Sequence, residues 1–261
     1  MKRTLLSSLP QGLPASVISL AQGADIYDSS CSPEARVYFI DKDNGYYLKI
    51  APKGTLWSEA EMTSYFNLLG LGTTVLDYIS QDRDLLITKK MAGEDCTHEK
   101  YLDDPKRLCD TLATELRRLH ETAPSGCPVS NRTAEYIATV DNNYSKGLFD
   151  LSLFLGVKEY KDANEAYRIF SEYKSALSAD TLIHGDFCLP NIMLDDWRLS
   201  GFIDLGNGGV GDRHIDLFWG IWTLWFNLKT NQYKDRFIDA YGRDKVSEEL
   251  LSAIAAAEVF G

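Results

Sequence analysis

One stretch, Leu182 to Gly206, constrains this 261-residue chain more than any other. A short apolar strand signal, Leu182 to His184, runs into the loop His184-Gly185-Asp186-Phe187-Cys188-Leu189-Pro190-Asn191. Two further strand signals, Asn191 to Leu194 and Leu199 to Asp204, flank the turn Asp195-Asp196-Trp197-Arg198 and lead into Asp204-Leu205-Gly206. A strand, a loop and a hairpin in that order put Asp186 and Asn191 on one loop and Asp204 at the end of the next hairpin, so three oxygen-bearing side chains converge without a long-range coincidence. One carboxylate beside an attacking hydroxyl, with further hard oxygens to hold a cation, is the chemistry such a trio suits.

The rest of the chain divides in character. Ala35 to Ile40 is a β-rich run, Asp43-Asn44-Gly45 is a turn signal and Tyr46 to Ile50 is a second run, which together predict a hairpin. Leu56 to Leu69 has helical spacing, and Thr74 to Ile79 and Asp84 to Thr88 read as two more strands. From Pro105 onward Leu108, Leu112, Leu116 and Leu119 recur at helical intervals, the stripe of a helix laid on a core. Another helix is expected from Ala163 to Leu177, and the apolar segment Ile215 to Leu228 is too short for a membrane span and reads as a buried helix. The expected architecture is α+β: a small β-rich lobe over residues 1–91, including a hinge, and a larger, mainly helical lobe over 92–261. A cleft between two such lobes is where chemistry is expected.

A net charge of −11 makes phosphodiester backbones and anionic membrane surfaces poor partners, so neither nucleic acid nor membrane is expected. The five cysteines are odd in number, scattered and without C-x-x-C spacing, which fits a reducing cytosol. Lys2 and Arg3 ahead of Leu5 and Leu6 look faintly like a leader, but Pro10, Gly12 and Pro14 interrupt the apolar run, and a cytoplasmic location is expected. His98, His120 and His214 lack the spacing of zinc ligands, His184 reads as an architectural hydrogen bonder, and no motif places a base beside Cys188.

The order H-x-D-x-x-x-x-N followed by D-x-G resembles the catalytic loop and metal-binding segment of protein kinases, with Gly185 where those have arginine. The glycine form is similar to the aminoglycoside phosphotransferase and choline kinase branch. Lys49 on a predicted strand and Glu61 on the following helix resemble the kinase ion pair that steadies the α- and β-phosphates. The turn Asp28-Ser29-Ser30-Cys31-Ser32-Pro33 occupies the slot of the kinase glycine-rich loop without a glycine, and its backbone N–H groups remain available to phosphate. With Glu34-Ala35-Arg36-Val37-Tyr38 and Tyr47-Leu48-Lys49, the chain resembles the aminoglycoside 3'-phosphotransferases from about Asp28 to Phe260.

That resemblance implies a bilobal, protein-kinase-like fold and transfer of the γ-phosphoryl group of ATP, or GTP, to a hydroxyl of a polycationic aminoglycoside. On the nucleotide side it implies that Ser32 touches the triphosphate, Tyr47 stacks on the base, Lys49 and Glu61 pair, and Thr88 to Met91 form the hinge. Asp186 would take the hydroxyl proton, Asn191 and Asp204 would coordinate Mg2+, and Asp216 would brace the catalytic loop. Asp150 and Glu258 would meet the acceptor, in a monomer or weak dimer. Several residues depart from the family. Asn207 stands where many members carry arginine, the segment Phe218 to Trp225 brings three tryptophans that read most simply as core, and Gly147 to Leu155 offers only Asp150 as an acid. A kinase for another small alcohol, such as choline, a macrolide or an amino-acid alcohol, therefore stays open. So does a nucleotide-binding pseudokinase, although retention of Lys49, Glu61, Asp186, Asn191 and Asp204 argues against it.

Overall fold

A computed structural model describes residues 3–31, 33–152 and 159–261 of the chain. Its first unit, Met1–His98 with Pro190–Gly206, is built on a six-stranded sheet, and its second comprises Glu99–Leu189 with Asn207–Gly261. The sheet strands are β1 (Thr4–Leu6), β2 (Asp25–Asp28), β3 (Arg36–Asp41), β4 (Tyr46–Pro52), β5 (Val75–Ser80) and β6 (Arg83–Lys89). They lie in the order β1-β2-β3-β4-β6-β5, every neighbouring pair antiparallel.

Side-chain alternation along β4 decides what faces where. Leu48 and Ile50 join Tyr38, Ile40, Leu85 and Ile87 in a core that packs Val17 of α1 (Ala15–Ala21). Tyr47 and Lys49 point to the other face, where Ala51 packs with Ala60 of α2 (Trp57–Leu68) and with Leu56, the residue that caps its start. The register Phe39↔Tyr47 and Tyr47↔Thr88 sets Tyr27, Phe39, Tyr47 and Thr88 in one row across the sheet. The predicted hairpin, helix and strand pair of this region are all present within two residues of their expected ends. β1, α1 and β2 were not anticipated, because α1 has only seven residues and buries only Val17.

A second hairpin belongs to the same unit although it comes a hundred residues later. After the two-residue β7 (Glu94–Asp95), the chain contributes β8 (Thr181–Ile183) to the second unit, then β9 (Ile192–Asp195) and β10 (Arg198–Phe202) to the first. β9 pairs with β7 as well as with β10, Phe202 N donates to Leu71 O at 2.8 Å, and the Phe66 and Phe202 rings meet edge to face at 6.2 Å. These contacts carry Asp204 into the unit that holds Lys49.

The second unit is helical. The short α3 (Glu99–Leu102) precedes α4 (Pro105–Glu121), whose N-cap Asp104 accepts from Arg107 N and whose Leu108, Leu112, Leu116 and Leu119 are buried as the stripe predicts. α5 (Arg132–Ser145) follows, and α6 (Ala163–Tyr173) stops four residues short of the expected Leu177 in a 3-10 turn, Lys174–Ala176. α7 (Arg213–Leu228), α8 (Lys234–Tyr241) and α9 (Glu248–Ala257) complete it, with β11 (Gly209–Gly211) paired to β8. α7 is less buried than expected: Leu217, Gly220 and Leu224 are inside, while Trp219, Trp222 and Trp225 are only partly covered. Among the described residues no helix is long and apolar enough to cross a membrane.

Asp84 of β6 holds the first unit together at the start of α2. Its buried carboxylate accepts from Leu56 N at 2.9 Å, Tyr78 Oη at 2.9 Å and Ser80 Oγ at 2.6 Å. Burial alone would raise its pKa, but hydrogen bonds from Ser80, from the Gly54 and Leu56 amides and from Tyr78 outweigh that and hold the group down at about 2. Because the folded value lies below the unfolded one, this contribution is present above about pH 4 and is lost as the pH falls towards 2. Asp84→Ala, which strands these donors, is expected to cost about 3 kcal/mol of unfolding free energy in a denaturant titration at pH 7. The cost should shrink below pH 3; an equal cost at both pH values would contradict this account.

Candidate active site

The first unit contains a cavity of about 420 Å³ whose walls include Tyr47, Lys49, Glu59, Thr88, Met91, Asn191 and Asp204. Lys49 is its centre of charge. The ammonium donates to Glu59 Oε2 at 2.7 Å and to Asp204 Oδ1 at 2.7 Å, the latter across 155 positions of sequence. Burial would strip the proton from this lysine, yet the two carboxylates more than compensate and hold its pKa above the ordinary value, so it stays cationic.

The helical partner of Lys49 is Glu59 and not Glu61. Two residues along a helix turn the side chain by about 200°, so the two glutamates point to opposite faces. Glu59 shares its face with Met62, Thr63 and Phe66, all buried, while Glu61 is exposed. Helix membership alone could not choose between them; the phase of the buried residues was the signal that identifies Glu59.

Asn191 and Asp204 sit at the entry and exit of the β9–β10 hairpin, tied together by Ile203 N donating to Asn191 O at 3.0 Å. Asp204 adopts φ +60°, an uncommon conformation for a residue with a side chain, and its carboxylate is half exposed. Among the described residues no group of three or more His, Cys, Asp or Glu converges as a metal site. Asn191 and Asp204 are hard oxygen donors on one cavity wall, a pair suited to a divalent cation that takes its other ligands from water and phosphate. Tyr47, Thr88 and Met91 line the same cavity, whereas Ser32 lies outside the described residues.

The loop bearing Asp186 lies in the second unit and is fixed from behind. Asp216, fully buried in the first turn of α7, accepts from His184 N and Gly185 N, each at 2.7 Å. His120 at the end of α4 places Nε2 3.1 Å from the same carboxylate and Nδ1 2.8 Å from Tyr241 Oη. A carboxylate only accepts, so Nε2 carries the proton; burial holds this imidazole's pKa below the usual value. Sequence spacing gave no hint of that role for His120. Gly185 has φ +82°, and a Cβ there would lie 1.9 Å from Asn207 O, which explains glycine where kinases carry arginine. His184 is buried and its Nδ1 accepts from Asp186 N at 3.2 Å, the architectural part expected of it. Burial, reinforced by the charge of Asp186, pushes the Cys188 thiol far above its ordinary pKa and leaves no thiolate to act as a nucleophile.

The two acids expected at the acceptor differ. Asp150 is exposed and accepts from Ser152 N at 2.7 Å and Ser152 Oγ at 2.6 Å, while its own amide donates to Val259 O at 2.8 Å. Glu258 is buried at the end of α9, accepts from Tyr136 Oη at 2.8 Å and is also hydrogen-bonded by Trp219. Burial pushes its carboxyl up to about 7, and the negative charge of Asp186 adds to the shift. Glu258 is thus no solvated helix end; it lies within electrostatic reach of Asp186.

The profile of the phosphotransferase enzyme family matches residues 33–251. A probable aminoglycoside 3'-phosphotransferase of Lactococcus lactis subsp. lactis (strain IL1403) is 50% identical over 249 residues, 95% of either chain. The crystal structure of an aminoglycoside-3'-phosphotransferase of type VIII superposes with a TM-score of 0.72 at 24% identity, covering 92% of this chain and 94% of that one. A Streptomyces rimosus aminoglycoside phosphotransferase in complex with ADP and streptomycin superposes with a TM-score of 0.69 at 22% identity, over 85% and 90% of the two chains. The fold is therefore the bilobal, protein-kinase-like one expected from the sequence.

Replacing Glu59 by glutamine removes one of the two charges that orient Lys49 and is expected to weaken ADP binding about tenfold in a fluorescence titration, while Glu61→Gln leaves it within twofold. The reverse order of effects would restore Glu61 as the partner.

Proposed function

Because the chain belongs to the phosphotransferase enzyme family, we propose that it transfers the γ-phosphoryl group of ATP, or of GTP, to a hydroxyl of an aminoglycoside antibiotic, in the first place the 3'-hydroxyl. The observation that carries this reading is the 2.7 Å contact between Lys49 and Asp204 inside a cavity bordered by Tyr47 and by Thr88 to Met91. A cationic side chain and hard oxygens beside an aromatic, backbone-edged slot suit a nucleoside triphosphate.

In the proposed mechanism the Tyr47 ring faces the base, and the backbone between Thr88 and Met91 offers hydrogen bonds to its edge. Lys49 sets its positive charge against the phosphate oxygens. Mg2+ held by Asn191 and Asp204 would supply further charge neutralisation on the triphosphate. The Asp186 carboxylate accepts the proton of the acceptor hydroxyl, whose oxygen forms a bond to the γ-phosphorus as the bond from that phosphorus to the β,γ-bridging oxygen breaks and ADP leaves. The Asp216 brace keeps the Asp186 loop from having to reorganise at that moment.

On the acceptor side, Glu258 and Asp150 provide carboxylates for ammonium groups. A cation beside Glu258 favours its ionised form, which the free protein holds only weakly near neutral pH. The 50% identity to a probable aminoglycoside 3'-phosphotransferase supports an aminoglycoside over a neutral acceptor. A monomer or weak dimer working in the cytoplasm fits this role.

A panel of aminoglycosides assayed with ATP and with GTP, followed by phosphorus NMR of the product, tests the reading. Phosphate should appear on a sugar hydroxyl, and Asp186→Asn should lower kcat by roughly 10²–10⁴ with little change in the KM for nucleotide. Phosphorylation of choline or a macrolide in place of every aminoglycoside, or wild-type turnover by the asparagine variant, would overturn it.

A further inference from the structure

The cavity has a wall that the mechanism above does not use. Arg3, just ahead of β1, lines it together with Tyr47. Its guanidinium carbon stands 3.6 Å from the centre of the Phe39 ring, and Nη2 donates to Tyr47 Oη at 2.7 Å. Phe39 and Tyr47 are direct cross-strand partners, with ring centroids 5.2 Å apart and planes inclined at 48°. The family match spans residues 33–251, so β1 and the arginine before it lie ahead of the matched residues.

Two features make this more than a surface contact. First, Phe39 and the Tyr47 hydroxyl are neutral, so holding Arg3 there does not cancel its charge, and the cavity gains a cation in a chain whose net charge is −11. Second, Tyr47 is only partly buried, and a partly exposed tyrosine ring keeps rotational freedom unless something holds its far end. The Phe39 ring limits it on one side, and Arg3, itself steadied by the contact of its guanidinium with the face of Phe39, grips the hydroxyl.

We propose that Arg3 is a nucleotide-positioning residue: it locks the Tyr47 ring in the orientation that receives the base, so that the residue leading into β1 completes the nucleotide pocket. The inference rests on reading this cavity as the nucleotide site. Arg3 acts through Tyr47 and touches none of the reacting atoms, so it should affect binding of the nucleotide and not the rate of transfer. Nor should it affect the acceptor, whose expected ligands Asp150 and Glu258 belong to the other unit.

The test is a double-mutant cycle on Arg3→Ala and Tyr47→Phe, read by ADP titration and by steady-state kinetics. Tyr47→Phe keeps the stacking ring and removes only the hydroxyl that Arg3 holds. Each single variant is expected to raise the dissociation constant for ADP and the KM for ATP about three- to tenfold, the range for releasing one ordered side chain. The double variant should be no worse than the single ones, and Arg3→Ala should leave kcat and the acceptor KM unchanged. Wild-type ADP affinity in Arg3→Ala, or effects that multiply in the double variant, would overturn the inference while leaving the nucleotide site in place. Failure of the wild-type protein to bind ADP at all would overturn both.

Discussion

Asp216 has no exposed surface, and its two carboxylate oxygens are spent on three donors: the amides of His184 and Gly185 and the imidazole of His120. A buried carboxylate is costly unless every lone pair it turns inward finds a donor, and here the donors are the backbone of the loop that presents Asp186. The loop cannot relax without stranding that carboxylate, and Asp216 cannot leave without stranding two amides. Gly185 is the complementary constraint, since its left-handed backbone passes so close to Asn207 O that no side chain fits. Together they explain why a short strand, β8, can end in a loop of fixed shape with the base candidate at its tip.

In the first unit the corresponding role falls to Lys49. It gathers one carboxylate from α2 and another from the β9–β10 hairpin, elements brought together by the Phe66–Phe202 packing and the β7–β9 pairing. The two carboxylates serve as its counter-charges. Asp204 reaches Lys49 from a left-handed backbone, φ +60°.

Much of this was legible in the chain. The H-G-D loop, its asparagine and the later aspartate pointed to the fold class, and the strand, loop and hairpin that carry Asp186, Asn191 and Asp204 were readable because those elements are local in sequence. The Asp43-Asn44-Gly45 turn and the Leu108 to Leu119 stripe were readable for the same reason. Glu59 was missed where Glu61 was expected, since the choice depends on helical phase relative to a strand ten residues earlier. His120 and Trp219 acquire their partners only through packing between helices distant in sequence, and no spacing rule encodes that. Glu258 was expected only as an acceptor contact; its burial against Tyr136, which pushes its carboxyl up to about 7, is a tertiary property.

The most direct measurement is the turnover of Asp216→Asn beside its affinity for ADP. The substitution keeps the shape of the side chain but replaces one accepting oxygen with a donor that faces donors. If the brace holds the Asp186 loop, kcat for phosphoryl transfer should fall by about two orders of magnitude. The dissociation constant for ADP should stay within twofold, because the cavity of the first unit contains none of these residues. A folded Asp216→Asn protein with wild-type kcat would contradict the account at its centre.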